Sequence, residues 1–131
     1  ERLTDNYPYM VRDNEAGMEH ISRLTTKNVD ILLIVSDTSR RGLQAAIRIN
    51  SLAKDLKIGV GESHIIINRC REYPSGDILD MIKEAGLNLA GTIPEDSTLY
   101  EYDLNGRPTI EMPSDSIVVK AAFDIFDRIV K

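Results

Sequence analysis

Acidic and amide side chains recur in this chain where buried strands are predicted to end. The polar groups at these places are Asp13, Ser36-Asp37-Thr38-Ser39, Asn68-Arg69 and Pro94-Glu95-Asp96. In open parallel sheets, ligands bind at the carboxyl ends of the strands. A carboxylate there can hold a Mg²⁺-bound water, and a side-chain amide can pair with a purine edge. The same residue types also make ordinary turns and caps, so the pattern indicates a ligand site without naming the ligand.

Asp13 has the most specific predicted chemistry. In a nucleotide-hydrolysing α/β domain, an Asp at a strand end lies where Mg²⁺ and the attacking water belong. Its alternative role is to cap a helix that begins near Ala16. Such a domain also needs a glycine-rich loop with a Lys, yet no Gly-Lys pair occurs in the 131 residues. We therefore expect that this chain alone neither hydrolyses ATP nor binds it tightly, and we interpret Gly59-Val60-Gly61 as a plain connector.

The elements that position these residues alternate along the chain. Predicted strands are Tyr7–Arg12, Ile31–Val35, His64–Asn68 and Leu89–Ile93. Predicted helices are Met18–Thr26, a helix from the Ser39 cap to about Leu56, Asp77–Ala85 with Gly86 at its end, and a last helix capped by Ser114. The alternation predicts an α/β fold, a three-layer α/β/α arrangement with a mainly parallel sheet. We expect residues 1–131 to be the C-terminal portion of one such domain, incomplete at its N-terminal half.

Composition limits the classes of partner and the compartment. The net charge of -5 argues against nucleic acid or an anionic membrane as the main partner. The single Cys70 cannot form an internal disulfide, so a reducing cytoplasm is expected. The longest aliphatic run, Ile31–Val35, is far too short to span a membrane. The chain opens on Glu1, which we interpret as a cut end.

Four motifs resemble one known family. Residues 13–23, Asp-Asn-Glu-Ala-Gly-Met-Glu-His-Ile-Ser-Arg, are similar to the switch segment of the nickel-insertion accessory ATPases of carbon monoxide dehydrogenase. That family belongs to the MinD/ParA-like deviant-Walker P-loop ATPases. Residues 35–42 resemble its next loop, residues 66–69 its base-binding asparagine strand, and residues 91–96 the loop that closes over the base.

The resemblance implies a role for each matched residue. Asp13 would be the acid behind Mg²⁺, acting through water, and Gly17 the hinge that senses the γ-phosphate. Asp37 would lie near the catalytic water or the dimer face. The nucleotide base would be bound at Asn68-Arg69, with the Asn68 side chain on adenine, and the backbone at Pro94-Glu95 would close that pocket.

The resemblance also implies a function for the parent protein, an ATP-dependent metallochaperone that matures carbon monoxide dehydrogenase. Its cofactors would be ATP or ADP with Mg²⁺, and nickel would be its cargo, with ligands outside this chain. The family's phosphate loop and Cys-x-Cys metal motif would both precede Asp13. Expected partners are a second copy or the missing N-terminal half, and the client enzyme. The alternatives are another MinD/ParA-like ATPase, in which Pro usually stands at the position of Glu15, and a non-catalytic dimerisation module.

Overall fold

Three parallel strands form the centre of the computed structural model, which describes residues 6–14, 28–56 and 59–130. The strands are β1 (Asn28–Ser36), β2 (Gly59–Cys70) and β3 (Asn88–Pro94), and they lie side by side in chain order. Leu33 of β1 is opposite His64 of β2, and Ile67 of β2 is opposite Thr92 of β3. All three strands run in one direction, so their carboxyl ends meet at one edge of the sheet.

Helices cover both faces of this sheet. The helices of the described residues are α1 (Arg40–Asp55), α2 (Gly76–Glu84), α3 (Ser97–Leu104) and α4 (Ile117–Ile129), with a 3-10 turn at Thr109–Glu111. The covering helices are α1, α2 and α4, whereas α3 buries none of its residues. Residues of α1 and α2 share one hydrophobic cluster with the sheet, and Ile125 of α4 belongs to a second, separate cluster. The predicted three-layer α/β arrangement with a parallel sheet is confirmed.

β2 is the strand at the centre of the core. Its residues Ile65, Ile66 and Ile67 are 0%, 3% and 0% exposed. Side chains alternate between the two faces of a strand, so three consecutive buried residues require cover on both faces. Ile65 and Ile67 lie in the cluster of α1 and α2, whereas Ile66 lies in the cluster of α4. The continuous apolar run in the sequence predicted this environment.

Two predicted helix ends are confirmed in detail. Ser39 caps α1, because its Oγ accepts a hydrogen bond of 3.0 Å from the Gly42 N–H. Gly86 follows α2 with φ of +74°, in the left-handed region that glycine tolerates. The predicted cap Ser114 is wrong: α4 begins after Ser116, whose N–H donates to the Pro113 carbonyl at 3.0 Å and closes an intervening turn.

The predicted strand Tyr7–Arg12 is also wrong. Residues 6–14 form no strand, and all of them are exposed. A strand needs a neighbour to pair its backbone groups, and among the described residues β1 pairs only with β2. Pro8 additionally lacks a donor. Asp13 therefore follows an exposed segment instead of ending a buried strand.

Gly59-Val60-Gly61 belongs to β2 and is not a connector. Gly59 and Val60 pair with Asn28 and Val29 of β1. A Cβ at Gly61 would lie 2.6 Å from the Asp30 carbonyl oxygen. The glycine therefore permits a close approach of two backbones rather than a turn.

Two further features predicted for the N-terminal part, the helix Met18–Thr26 and the hinge Gly17, lie outside the described residues. Within the described ranges, no helix is long and apolar enough to cross a membrane.

Candidate functional site

The carboxyl ends of the three strands place most of the predicted site residues at one edge. Ser36 of β1 is opposite Ile67 of β2, and Cys70 of β2 is opposite Pro94 of β3. Asp37 therefore leaves β1 beside the end of β2, where Asn68 and Arg69 lie. The β3 end, with Pro94 and Glu95, lies on the other side of the same strand.

Asp37 serves as part of the cap of α1. Its Oδ1 accepts hydrogen bonds from the Ser39 N–H at 2.9 Å and from the Ser39 Oγ at 2.5 Å. The bond from the Ser39 side chain, followed by the backbone bond, holds the pKa of Asp37 below its usual value. Asp37 is thus a fixed, exposed anion at the strand end.

Gly42 makes room for this carboxylate in the first turn of α1. A Cβ at position 42 would collide with Asp37 Oδ1 and stand 2.9 Å from Ser36 Oγ. The loop after β1 therefore needs glycine at this position, because any larger residue would displace the acid.

Arg69 forms a strained corner in β2. Its φ is +55°, and no other non-glycine residue in the described part of the chain has a positive φ. A left-handed conformation costs a non-glycine residue on the order of 1 kcal/mol, and such strain clusters at functional sites. The positive charge of Arg69 also contributes to lowering the pKa values of both Asp37 and Glu95. Arg69 therefore lies between the acids of the two neighbouring strand ends.

The same corner orients the side chain of Asn68. Asn68 Oδ1 accepts a hydrogen bond of 2.9 Å from the Arg69 N–H, which fixes the direction of the amide. Asn68 is half-buried, and its Nδ2 makes no hydrogen bond within the described part of the chain. The side chain therefore offers an oriented donor together with a second lone pair on its oxygen.

The segment after β3 is tied to the end of β2 by backbone and side chain. The Glu95 N–H donates to the Cys70 carbonyl at 3.1 Å. The Arg71 guanidinium donates twice to the Glu95 carboxylate, from Nε at 2.5 Å and from Nη2 at 3.4 Å. These bonds to Arg71 hold the pKa of Glu95 below its usual value. Sequence reasoning missed Arg71, since no local pattern marks a partner 24 residues away.

The thiol of Cys70 takes no part in the polar edge. It is buried, and its Sγ donates to the Glu72 carbonyl at 2.8 Å.

Asp13 lies in the exposed segment 6–14. Within the described ranges, no hydrogen bond or ion pair joins it to the strand ends. The structure thus brings Asp37, Asn68, Arg69, Pro94 and Glu95 to one edge and shows no bond of this kind from them to Asp13.

The gathered residues are exposed or half-buried. Two clefts, of about 300 and 540 Å³, lie along α4, and none of the gathered residues lines them. In the described residues, no group of three or more His, Cys, Asp or Glu side chains could hold a metal ion. The edge can orient a planar polar group through Asn68, but it offers no ready cage for a cation.

The fold is that of the MinD and ParA proteins. The MinD cell division protein of Aquifex aeolicus superposes with a TM-score of 0.73 at 20% identity, over 98% of this chain and 55% of that one. The MinD of Pyrococcus horikoshii complexed with Mg-ADP gives a TM-score of 0.61 at 20% identity, over 78% of this chain and 42% of that one. At this level of identity the likeness defines the class of fold, the P-loop NTPase-like α/β class.

Similarity in sequence narrows the class to a family. An uncharacterized ATP-binding protein of Methanocaldococcus jannaschii is 37% identical over 130 residues, 99% of this chain and 51% of the relative. The carbon monoxide dehydrogenase accessory protein CooC of Rhodospirillum rubrum is 38% identical over 104 residues, 79% of this chain and 38% of the relative. No protein-family model matches. The sequence and fold similarities support a CooC/MinD-like P-loop ATPase family for this chain, which spans about half the length, or less, of these relatives.

Proposed function

We propose that this chain supplies the base-binding edge and the switch acid of an ATP-dependent accessory protein that inserts nickel into carbon monoxide dehydrogenase. The observation that carries the proposal is the oriented Asn68 amide on the strained Arg69 corner, beside Pro94 and Glu95. The relative named as a carbon monoxide dehydrogenase accessory protein and the relative named as ATP-binding support it.

Adenine recognition is assigned to the side chain of Asn68. An amide pairs with the N6 and N7 edge of adenine through one acceptor and one donor. Asn68 retains both, because its Nδ2 has no partner in the described residues and its Oδ1 has a second lone pair. The backbone at Pro94 and Glu95 would close over the base, held in place by the Arg71–Glu95 pair.

Phosphate binding is assigned to residues outside this sequence. Without a Gly-Lys pair, the 131 residues have no Walker-type loop whose N–H groups and lysine could hold the β- and γ-phosphates. Gly17 would respond to the γ-phosphate once that loop is present.

The residues of this chain could supply only part of a magnesium site. The described residues provide no cluster of ligands, so the phosphates and water would hold the ion, with Asp13 as the carboxylate behind one water. Mg²⁺ would neutralise charge on the phosphates during transfer. Within this chain, the role of Asp13 would be to orient a water.

Nickel would be the cargo of the whole protein, and its ligands would lie outside this chain. ATP would close a dimer, and hydrolysis would reset the dimer and release Ni²⁺ to the client enzyme. We place this activity in the cytoplasm.

Two binding measurements and one activity assay test the proposal. For the isolated 131-residue chain, calorimetry with Mg-ATP is expected to give a Kd of ~1 mM, which corresponds to about -4 kcal/mol. The complete gene product should bind with micromolar affinity and restore activity to nickel-deficient carbon monoxide dehydrogenase when ATP and Ni²⁺ are added. Micromolar binding by the isolated chain, or ATP-independent restoration, would contradict the assignment.

A second candidate function is dimerisation without ATP. It is favoured by the outer edge of β1, which is unpaired within the described residues, and by the neighbouring Val35, which is 62% exposed. In this case the isolated chain would associate whether or not nucleotide is present.

A further inference from the structure

The segment that follows the base-binding loop is unlike the rest of the molecule in its charge. Residues 95–115, here called the acidic segment, contain six of the 21 carboxylates and one of the 16 Lys and Arg residues. The remaining fifteen acids and fifteen bases cancel. The whole net charge of -5 therefore lies on this segment.

The helix of the acidic segment, α3, is held by its ends rather than by burial. None of its eight residues is buried. At its start, Asp96 Oδ1 accepts from the Thr98 N–H at 2.9 Å, and at its end Asn105 Nδ2 donates to the Glu101 carbonyl at 2.7 Å. So short a helix is marginal on its own, and these caps stabilise it. Its outer face is thus ordered without being covered.

That outer face has an apolar centre and an acidic border. Tyr100 and Leu104 are 63% and 67% exposed, and their spacing of four places them on one face. Asp103, three residues after Tyr100, and Glu101, three before Leu104, flank the pair on opposite sides. Neither carboxylate forms an ion pair in the described part of the chain. The one base of the segment, Arg107, is engaged by Glu111 and by the Tyr102 ring.

We infer that this face, Tyr100 and Leu104 flanked by Glu101 and Asp103, docks a partner protein through an apolar pocket bordered by Lys and Arg. An apolar centre with a polar rim is the usual anatomy of protein interfaces, and Tyr is favoured at their centres. Charge complementarity selects a basic partner, because like charges across an interface are unfavourable. α3 starts directly after the base-binding loop, so docking would take place next to the nucleotide edge.

A pair of peptides tests this inference on the complete gene product. The first probe is a helical peptide of Leu and Lys with its Leu residues on one face, and the second has Ser in place of each Leu. We expect the Leu peptide to bind at least tenfold more tightly. Tyr100→Gln with Leu104→Gln should abolish this preference, because Gln keeps helix propensity and net charge. Glu101→Gln with Asp103→Asn should weaken the binding of both peptides, because both carry Lys.

Matched controls distinguish binding at this face from non-specific hydrophobic or electrostatic binding of the peptides. Ile117→Gln removes another helix residue that is 57% exposed. Asp80→Asn with Glu84→Gln removes two exposed charges of α2. Both controls should bind as the natural protein does, and circular dichroism should show equal helix content throughout. A preference that survives Tyr100→Gln with Leu104→Gln, or that Ile117→Gln abolishes equally, overturns the inference.

Footprinting of the free protein tests whether another part of the gene product, or a second copy, covers this face of α3 instead. Hydroxyl radicals should label Tyr100 and Leu104 strongly at all protein concentrations. Protection in dilute solution would mean that the rest of the gene product covers α3, and protection that grows with concentration would mean that a second copy does. Either result overturns docking of a basic partner. The test does not depend on ATP, so it is distinct from the test of the proposed function.

Discussion

Arg71 and Glu95 join the end of β2 to the end of β3 by two hydrogen bonds from one guanidinium. The pair lies just outside the backbone bond from the Glu95 N–H to the Cys70 carbonyl. Both side chains are well exposed, at 81% and 45%. An exposed ion pair contributes little to global stability, so its effect is expected to be local, on the loop at Pro94 and Glu95.

Arg71→Gln should loosen that loop without unfolding the protein. We expect faster hydrogen exchange of the Glu95 amide and an unchanged midpoint of urea denaturation. NMR-detected exchange measures the first quantity, and fluorescence or circular dichroism the second. Arg48→Gln, which removes an exposed Arg of α1, is the control. A lower midpoint with unchanged Glu95 exchange would show that the pair has a structural role instead.

Gly42→Ala should destabilise the protein by about 1–2 kcal/mol, the cost of losing a helix cap or crowding a packed site. The new Cβ would displace Asp37 and Ser36, which lie against Gly42. Gly76→Ala is the matched control in the first turn of α2, where a Cβ would meet nothing within 4 Å. That control should gain about 0.5 kcal/mol from the lower entropy of the unfolded chain. Equal effects in urea denaturation would refute the argument.

The stabilisation due to Asp37 should depend on pH. Its pKa is lowered in the folded state by the hydrogen bonds from Ser39. A carboxyl group of this kind stabilises the fold above its unfolded pKa, about 4, and this contribution disappears as the pH falls through the lower, folded value. The unfolding free energies of the natural chain and Asp37→Asn should therefore differ at pH 6 and converge toward pH 2–3. Asp80→Asn controls for the loss of one exposed charge, and a constant difference for Asp37→Asn would contradict the prediction.

Asn68→Ala and Asp13→Asn should separate binding from turnover in the complete gene product. Asn68→Ala should weaken the binding of adenine nucleotides by about tenfold, since a bidentate contact to a base contributes on the order of 1–3 kcal/mol. The same variant should reduce the preference for ATP over GTP. Asp13→Asn should abolish ATP hydrolysis and leave binding largely intact, because its carboxylate acts on water. Calorimetry and phosphate release are the measurements. Equal losses of binding in both variants would show that the roles are wrongly assigned.

The outer edge of β1 should cause the isolated chain to associate. In the part of the chain that the structure describes, this edge has no strand partner, and together with the exposed Val35 it offers a surface for another strand. Light scattering is expected to give a mass above 14.7 kDa, the mass of one chain. A monodisperse monomer in which the amides of Ile31–Val35 exchange slowly would contradict this.

Much of the central fold was predictable because its signals are local. Three apolar runs became the three strands, and the cap at Ser39 and the left-handed Gly86 followed from residue type. α3 was missed because Ser97–Leu104 buries nothing and has no apolar period. The ends of α3 could nevertheless have been predicted from residue type. Asp96, which precedes the helix, is a favoured N-cap residue, and Asn105-Gly106, which follows it, favours a helix end.

The errors and gaps concern contacts that depend on distant parts of the chain. Tyr7–Arg12 is apolar enough for a strand, but strand formation requires a neighbour, which the sequence of the segment itself does not specify. The close approach of Gly61 to the Asp30 backbone and the Arg71–Glu95 pair are likewise non-local. At the site, the residue types at the strand ends were predictable, and the left-handed Arg69 that orients Asn68 was not.

The acidic segment also has a kinetic consequence. Net charge that is concentrated on one segment creates a local negative potential, which attracts a basic protein during diffusion before any contact is made. A basic protein would therefore meet α3 first, and the association rate constant should fall steeply with ionic strength while the dissociation rate constant changes little. The partner would arrive already oriented toward Pro94 and Glu95, so collision geometry would favour the end of the sheet where the nucleotide base is expected.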